Sequence, residues 1–392
     1  MLTVYSKLEK EELIITMEGR IESSNASVAE AAVFDKIGDY DGAIVLDMEK
    51  VDYVSSAGLR VILRIKKAHK NTRIVNVQSE VYEIFDMTGF TEMMDIAKAY
   101  RKFSVEGCEI IGEGANGIVY RIDQDTIVKV YRNADAIDEI TRERELARKA
   151  FVMGVPTAIP YDVVRVGDSF GSVFELLDAA SFASILQKQP ERCDELAKAS
   201  VEILKIMHAT HLKPKELPDI KDEARSWVSY CEKYLKPETF VKLRRLIDEI
   251  PDTDNMLHGD FHLKNIMRQG KENLLIDMDT LTMGHPVFEL AAVYLAYVGF
   301  AEFDPECIPK FMGISNELAR KYYDATIRYY FETDYAGLLE EVEKKLRTLC
   351  FTRLVRRTIQ KGSADPDRRD RAVAVYVAEL ERLLPTVDKL YF

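Results

Sequence analysis

Between residues 256 and 281 the chain reads MLHGDFHLKNIMRQGKENLLIDMDTL. Asp260 and Asn265 lie five residues apart in an HxDxxxxN frame, and Asp277 and Asp279 follow after a short apolar run. A carboxylate such as Asp260 can accept the proton of a hydroxyl or hold that hydroxyl in place. Asn265 and Asp277 offer hard oxygen ligands of the kind Mg²⁺ takes when it bridges phosphate oxygens, and Asp279 is placed to back up Asp277. His258 precedes the base by two positions and reads as a brace for the loop, since a base is already present. A zinc reading of His258 and His262 fails: Gly259 speaks against a helix, and no HExxH glutamate accompanies the pair.

A second constellation lies upstream, in IIGEGANGIVYRIDQDTIVKVY. Gly112, Gly114, Gly117 and Val119 form a GxGxxGxV frame, and Lys129 follows. Backbone N–H groups close over phosphates only where side chains do not block the approach, so glycine suits this work. A dinucleotide fold needs a helix after such a string. Here two β-branched segments are split by the turn Asp123-Gln124-Asp125, which predicts strand–loop–strand. That is the arrangement that covers ATP phosphates, with the strand lysine pairing the α- and β-phosphates. The segment DEITRERELARKAF reads as a helix that should carry a glutamate to orient Lys129. Glu143 has Leu146, Ala147 and Ala150 at +3, +4 and +7, which turns it toward the apolar face and favours it over Glu145. Two strands around a Gly-Asp turn follow, the second being Ser172 to Leu177. The backbone from Glu175 to Leu177 is placed to hydrogen-bond adenine.

These pieces need a bilobal frame. Residues of about 104 to 178 predict a β-rich lobe, and residues of about 179 to 392 a helical one. Trp227, Tyr230 and Tyr234 share one helix face, either as core or as acceptor wall. The catalytic loop and LLIDMDTLTMGHPVFELAAVYLAY resemble the aminoglycoside phosphotransferase and choline kinase family, of protein-kinase-like fold. His262 stands two residues after the catalytic aspartate, where protein kinases have lysine. Only a few residues separate Asp277 from GHPVFELA, which leaves no room for an activation segment. Glu289 there takes the place of the family's usual aspartate. The resemblance implies an ATP- and Mg²⁺-dependent kinase acting on a hydroxyl-bearing small molecule.

The first hundred residues predict a small α/β layer: strands at 13–17, 43–46 and 73–77, and helices at 23–37, from Ser55-Ser56 onward, and at 79–87. GRIESSNA, IVLDMEKVDYVSSAGLRVIL and VYEIFDMTGFTEMMDI resemble the STAS domain of anti-sigma-factor antagonists. In that family the serine at the Ser56 position is often a phosphorylation switch, although several such members carry aspartate where this chain has Ser55. Physically, Ser56 is open to two roles, a cap for the helix N-terminus or a phosphate acceptor at the positive end of the helix dipole. The domains are therefore expected at 1–101 and 102–392, with the N-terminal one regulating the kinase or binding a protein partner.

Composition narrows the classes. The chain has 392 residues, 47% hydrophobic and 31% charged, with a formal net charge of −12, which argues against a nucleic-acid partner. Its 5 cysteines are scattered with no CxxC pair, as in a reducing compartment. No signal-peptide core opens the sequence, and no apolar run approaches the roughly 18 residues needed to span a bilayer. A cytoplasmic location without membrane contact is the expectation. Three functions are compatible with these readings: the small-molecule kinase, a protein kinase that phosphorylates Ser56 of its own or a partner STAS domain, and a nucleotide-binding scaffold without turnover. The presence of Lys129, Asp260, Asn265 and Asp277 together weighs against the last.

Overall fold

The structure, a computed structural model, describes residues 2–114, 117–133, 137–361 and 365–392. The chain folds into two compact units, Met1–Ser104 with Val163–Asp168, and Val105–Asp162 with Ser169–Phe392.

The first unit is a five-stranded sheet in chain order: β1 (Thr3–Glu9), β2 (Glu12–Ile21), β3 (Ala43–Val54), β4 (Thr72–Val77) and β5 (Ile96–Lys98). β1 and β2 form an antiparallel hairpin, and the remaining pairs are parallel. The parallel pairs require crossovers. These run through α1 (Ala26–Ile37), α2 (Ser56–Ala68), and the pair α3 (Ser79–Met87) and α4 (Phe90–Met93). Alternate residues of β2 (Leu13, Ile15, Met17) are buried, as a sheet with one covered face demands. They pack with Ile44 and Leu46 of β3, Ile62 and Ile65 of α2, and Phe85 of α3. A last short strand, β6 (Arg101–Phe103), pairs in parallel with Val164–Val166, the part of β10 (Pro160–Val166) grouped with this unit.

The second unit opens with the antiparallel strands β7 (Glu109–Glu113), β8 (Gly117–Arg121), β9 (Thr126–Tyr131) and β11 (Ser169–Glu175), in the order β7-β8-β9-β11. Helix α5 (Ile137–Val152) lies between β9 and β10 in sequence and buries Ile140, Leu146, Ala147 and Ala150 on one face. The rest is largely helical. After β12 (Ala180–Ser181) come α6 (Phe182–Lys188), α7 (Cys193–His208), α8 (Ile220–Cys231) and α9 (Pro237–Asp248). Four short strands follow: β13 (Met256–Leu257), β14 (Ile266–Gln269), β15 (Glu272–Leu275) and β16 (Thr282–Met283). Then come α10 (Val287–Tyr297), α11 (Cys307–Met312), α12 (Asn316–Phe331), α13 (Ala336–Lys361) and α14 (Pro366–Leu383).

Every residue of α10 is buried. A helix apolar all round belongs at the centre of a helical layer, and α10 packs on both α12 and α13. Trp227 of α8 is part of this core, edge-on to Phe288, and Tyr230 and Tyr234 pack partly buried against it. Among the described residues, no helix is long and apolar enough to cross a membrane.

Candidate active site

Lys129 lies on β9 with its Nζ 2.9 Å from Glu143 Oε1 of α5 and 2.9 Å from Asp277 Oδ1. Burial works against the ammonium charge, but Asp277 and Glu143 outweigh it and hold the group above its ordinary range. Glu143 is 6% exposed and Glu145 is exposed, as helical phase predicted. The second oxygen of Glu143 accepts a hydrogen bond of 2.6 Å from the Tyr131 hydroxyl. Tyr131 was not foreseen. It is two residues after Lys129 on the same strand, hence on the same face, and that spacing was the available signal.

The glycine loop joins β7 to β8. Gly112 pairs with Val119, and Val119 pairs in turn with Lys129 across β8 and β9. Gly114 N–H donates to the Gly117 carbonyl at 2.9 Å. A Cβ at Gly117 would sit 2.3 Å from the Val130 carbonyl oxygen, so only glycine fits against β9 there. The loop tip, Ala115 and Asn116, lies outside the described residues.

At the proposed adenine contact the strand ends sooner than the sequence suggested. β11 stops at Glu175. The N–H of Glu175 already donates to the Ile159 carbonyl, and that of Leu176 to the Asp125 carbonyl at 2.7 Å. Of the three N–H groups in Glu175–Leu177, that of Leu177 remains available among the described residues.

The loop from β13 to β14, which carries the candidate base Asp260, is fixed from below by Glu289 of α10. One Glu289 oxygen accepts from His258 N–H, and both oxygens lie within 3.3 Å of Gly259 N. Complete burial raises the Glu289 carboxyl to about 7, against the pull of those two N–H groups. Gly259 has φ +82°, and a Cβ there would meet the Thr280 carbonyl oxygen at 2.4 Å. His258 is fully buried. Its Nδ1 accepts from Asp260 N–H at 3.3 Å, which leaves Nε2–H to donate to the Ile276 carbonyl at 3.2 Å. Burial pushes the imidazole below its ordinary pKa. A neutral ring bonded at both nitrogens is a brace rather than a proton shuttle. The Thr280 hydroxyl closes the turn on the His258 carbonyl at 2.7 Å.

Asp260 is exposed, its side chain 60% accessible and its Oδ2 3.4 Å from His262 Nε2. Burial pushes its carboxyl up, but the His262 contact, the neighbouring His262 and His258 rings and the Arg353 charge together reverse this and hold it below the usual range. It is therefore ionised at neutral pH. Asn265 donates through Nδ2 to the Asp260 carbonyl at 3.1 Å, which leaves its side-chain oxygen as the free ligand atom.

Asp277 was expected on a strand. It lies instead two residues past β15 in the left-handed region (φ 59°, ψ 67°), which non-glycine residues seldom occupy. Local strain of this kind is held in place by surrounding structure, and it sets the Asp277 carboxylate against Lys129. Asp279 follows in the next turn. Desolvation, with the carboxylates of Glu143 and Asp277 nearby, raises its carboxyl to about 6. Crowded carboxylates beside an amide oxygen make a donor set that suits a hard divalent cation. Among the described residues no three His, Cys, Asp or Glu side chains are gathered into a metal site by themselves.

In the N-terminal unit, the helix cap differs from the expectation for Ser56. The N-cap of α2 is the buried Ser55, whose hydroxyl accepts from Gly58 N–H at 3.2 Å. Ser56 is the first helical residue and is exposed.

Residues 107–336, more than half of the chain, match the description "Phosphotransferase enzyme family". The chain belongs to that family. Residues 5–103 match "STAS domain". BtrV of Bordetella bronchiseptica, named as a candidate anti-sigma factor antagonist, is 31% identical over 91 residues, covering 22% of this chain and 78% of that protein. Human acyl-CoA dehydrogenase family member 11 is 26% identical over 193 residues, 44% of this chain; the matched region is 24% of that protein. Among solved structures, ADP-bound aminoglycoside phosphotransferase APH(2'')-Ib aligns over 79% of this chain and 99% of its own, with 16% identity and a TM-score of 0.48. The two family matches and the order of elements together give the fold: a STAS-like α/β domain, then a kinase-like domain with a sheet-rich first part and a helical second part.

Proposed function

We propose that the chain is an Mg²⁺- and ATP-dependent phosphotransferase that moves the γ-phosphoryl group to a hydroxyl of a small molecule. The observation that carries this reading is Lys129, bridging Glu143 of α5 and Asp277 beyond β15 at 2.9 Å each. In the reading, Lys129 turns toward the α- and β-phosphates while Glu143 keeps it charged and in place. Asn265 and Asp277, with Asp279 beside them, are the residues to hold Mg²⁺, which when bound supplies charge neutralisation on the phosphate oxygens. Asp260 takes the proton of the acceptor hydroxyl as its oxygen bonds to the γ-phosphorus. The bond from that phosphorus to the β–γ bridging oxygen breaks, and ADP leaves with the electron pair. The test is acceptor-dependent ADP release by the full chain. If no alcohol stimulates release above the rate with water while Mg·ATP binds, transfer to a free acceptor is wrong.

The STAS domain is proposed to regulate this activity or to bind a protein partner, in keeping with the name of the BtrV relative. A second reading has one supporting observation, the exposed Ser56 hydroxyl at the first position of α2. A phosphate there would meet free N–H groups and the positive end of the helix dipole. Incubation with γ-labelled ATP followed by peptide mass analysis decides it. Label on Ser56 that is absent in Asp260→Asn supports a protein kinase, and unlabelled Ser56 removes that reading.

A further inference from the structure

From Lys344 to Lys361, α13 contains no Asp or Glu. Arg353, Arg357 and Lys361 recur every four residues and so share one face, with Arg356 beside them. Basic residues favour a helix C-terminus, but that effect is confined to the last turn, and Arg353 lies eight residues before the end of α13. Its guanidinium rests 5.4 Å over the Trp227 ring. Arg357 rests 5.3 Å over Phe300. Both arginines are half-buried. Neither has a hydrogen bond or a carboxylate partner among the described residues. On the facing helix α8, Glu223 is shared between Arg356 at 3.5 Å and Trp227 Nε1 at 3.3 Å. Arg356 Nε is buried with no acceptor.

These side chains stand at the chemistry. Trp227 packs edge-on to Phe288, the neighbour of the Glu289 that holds the catalytic loop. The positive charge of Arg353 reaches both Asp260 and Glu289, and the negative charge of Asp260 acts in turn on Arg357. Two half-buried guanidiniums that repel one another, seated on aromatic rings and bonded to no carboxylate among the described residues, form an anion site in waiting.

Building on the phosphotransferase reading above, we propose that the acceptor is an anion: a molecule bearing a carboxylate or phosphate that Arg353 and Arg357 bind while its hydroxyl meets Asp260. The planar guanidinium fork suits either group. A polycationic acceptor would be repelled from the same face.

The single tryptophan of the chain, Trp227, lies under Arg353 and reports on the site. Full-length protein is first saturated with Mg²⁺ and the non-hydrolysable analogue AMP-PNP, so that Lys129 is engaged. It is then titrated with gluconate and glycerol 3-phosphate, and in parallel with glucose, glycerol and kanamycin, while Trp227 fluorescence is followed. Saturable change with one or both anions is expected. The dissociation constant should rise at least tenfold in Arg357→Gln and Arg353→Gln and recover partly in Arg357→Lys. Response to gluconate alone assigns a carboxylate acceptor, and response to glycerol 3-phosphate alone a phosphorylated one. The inference is overturned if only neutral or cationic alcohols bind, if neither anion binds, or if the anions bind the glutamine variants as tightly as the parent. Failure of Mg·AMP-PNP itself to bind would instead sink the phosphotransferase reading, an outcome separable because the anion titration can be run without nucleotide.

Discussion

Replacing Glu143 by glutamine removes one charge at almost constant volume, and the geometry lets its effect be worked out. In the parent, Lys129 is bonded to Glu143 and Asp277, and Tyr131 donates to the other Glu143 oxygen. If Asp277 is drawn to a metal, Glu143 is the remaining anchor for the lysine. A glutamine oxygen still accepts from Lys129, but a charge-assisted bond is about twice as strong as a neutral one, so about 1–2 kcal/mol is lost. The Tyr131 hydroxyl then faces an NH₂ group and must turn its proton toward Ser172, now 3.4 Å away, at a further cost of up to about 1 kcal/mol. The sum, about 1–3 kcal/mol, corresponds to a fall of about 5- to 150-fold in kcat/KM for ATP. The assay is initial-rate ADP release at saturating acceptor with ATP varied. Glu145→Gln, exposed on the same helix, is the control and should stay within about twofold, as surface changes do. If Glu143→Gln also stays within about twofold, the lysine does not depend on this anchor and the reasoning fails.

Asp277→Ala should weaken Mg·ATP binding by at least about tenfold, the effect of losing one charged ligand or bond, as read by calorimetric titration; unchanged affinity would remove its metal role. A different measurement concerns stability. Burial lowers the imidazole of His208 to about 3, with the neighbouring His285 a further cause in the same direction. Its Nδ1 is 2.7 Å from the Tyr330 hydroxyl and its Nε2 is buried without a partner. An unfolded histidine takes up a proton near pH 6.5, so the unfolded state binds more protons between there and about pH 3, and stability falls as pH falls. Over two units below 6.5 the His208 share is up to about 2.7 kcal/mol. Denaturant titrations at pH 6.5 and 4.5 should show a shallower loss in His208→Gln, and an equal loss would contradict the assignment.

Local spacing made much of the site readable. Asp260, Asn265 and Asp277 fall within one 18-residue stretch, and their order is what suggests the chemistry proposed for them. Glu143 was separable from Glu145 because helical phase turns one toward Leu146 and the other toward water. The α3 bounds followed from apolar spacing and Gly89. Elsewhere the pattern carried little. β1 is exposed along nearly its whole length, so no alternation marks TVYSKLE as a strand. The left-handed backbone of Asp277 is imposed by its surroundings and not by a glycine. Which N–H groups near Glu175 are already bonded depends on Ile159 and Asp125, partners remote in sequence. Ser55 rather than Ser56 caps α2 because the chain enters the helix one residue earlier than the Gly-Leu pair suggests. Arg353 and Arg357 lie more than ninety residues after Asp260, and their place beside Trp227 and Phe300 depends on the packing of α13 against α8 and α10, which no local pattern states.

The most direct test compares the parent with Asp260→Asn in two measurements on the same preparations: Mg·ATP affinity by calorimetry, and acceptor-dependent ADP release. Asp260 is exposed and its backbone, not its carboxylate, bonds Asn265, so the change should leave the loop and nucleotide affinity intact. The account predicts unchanged affinity, and transfer reduced by at least about a hundredfold, the usual contribution of a positioned base. Turnover at the parent rate in Asp260→Asn would contradict it.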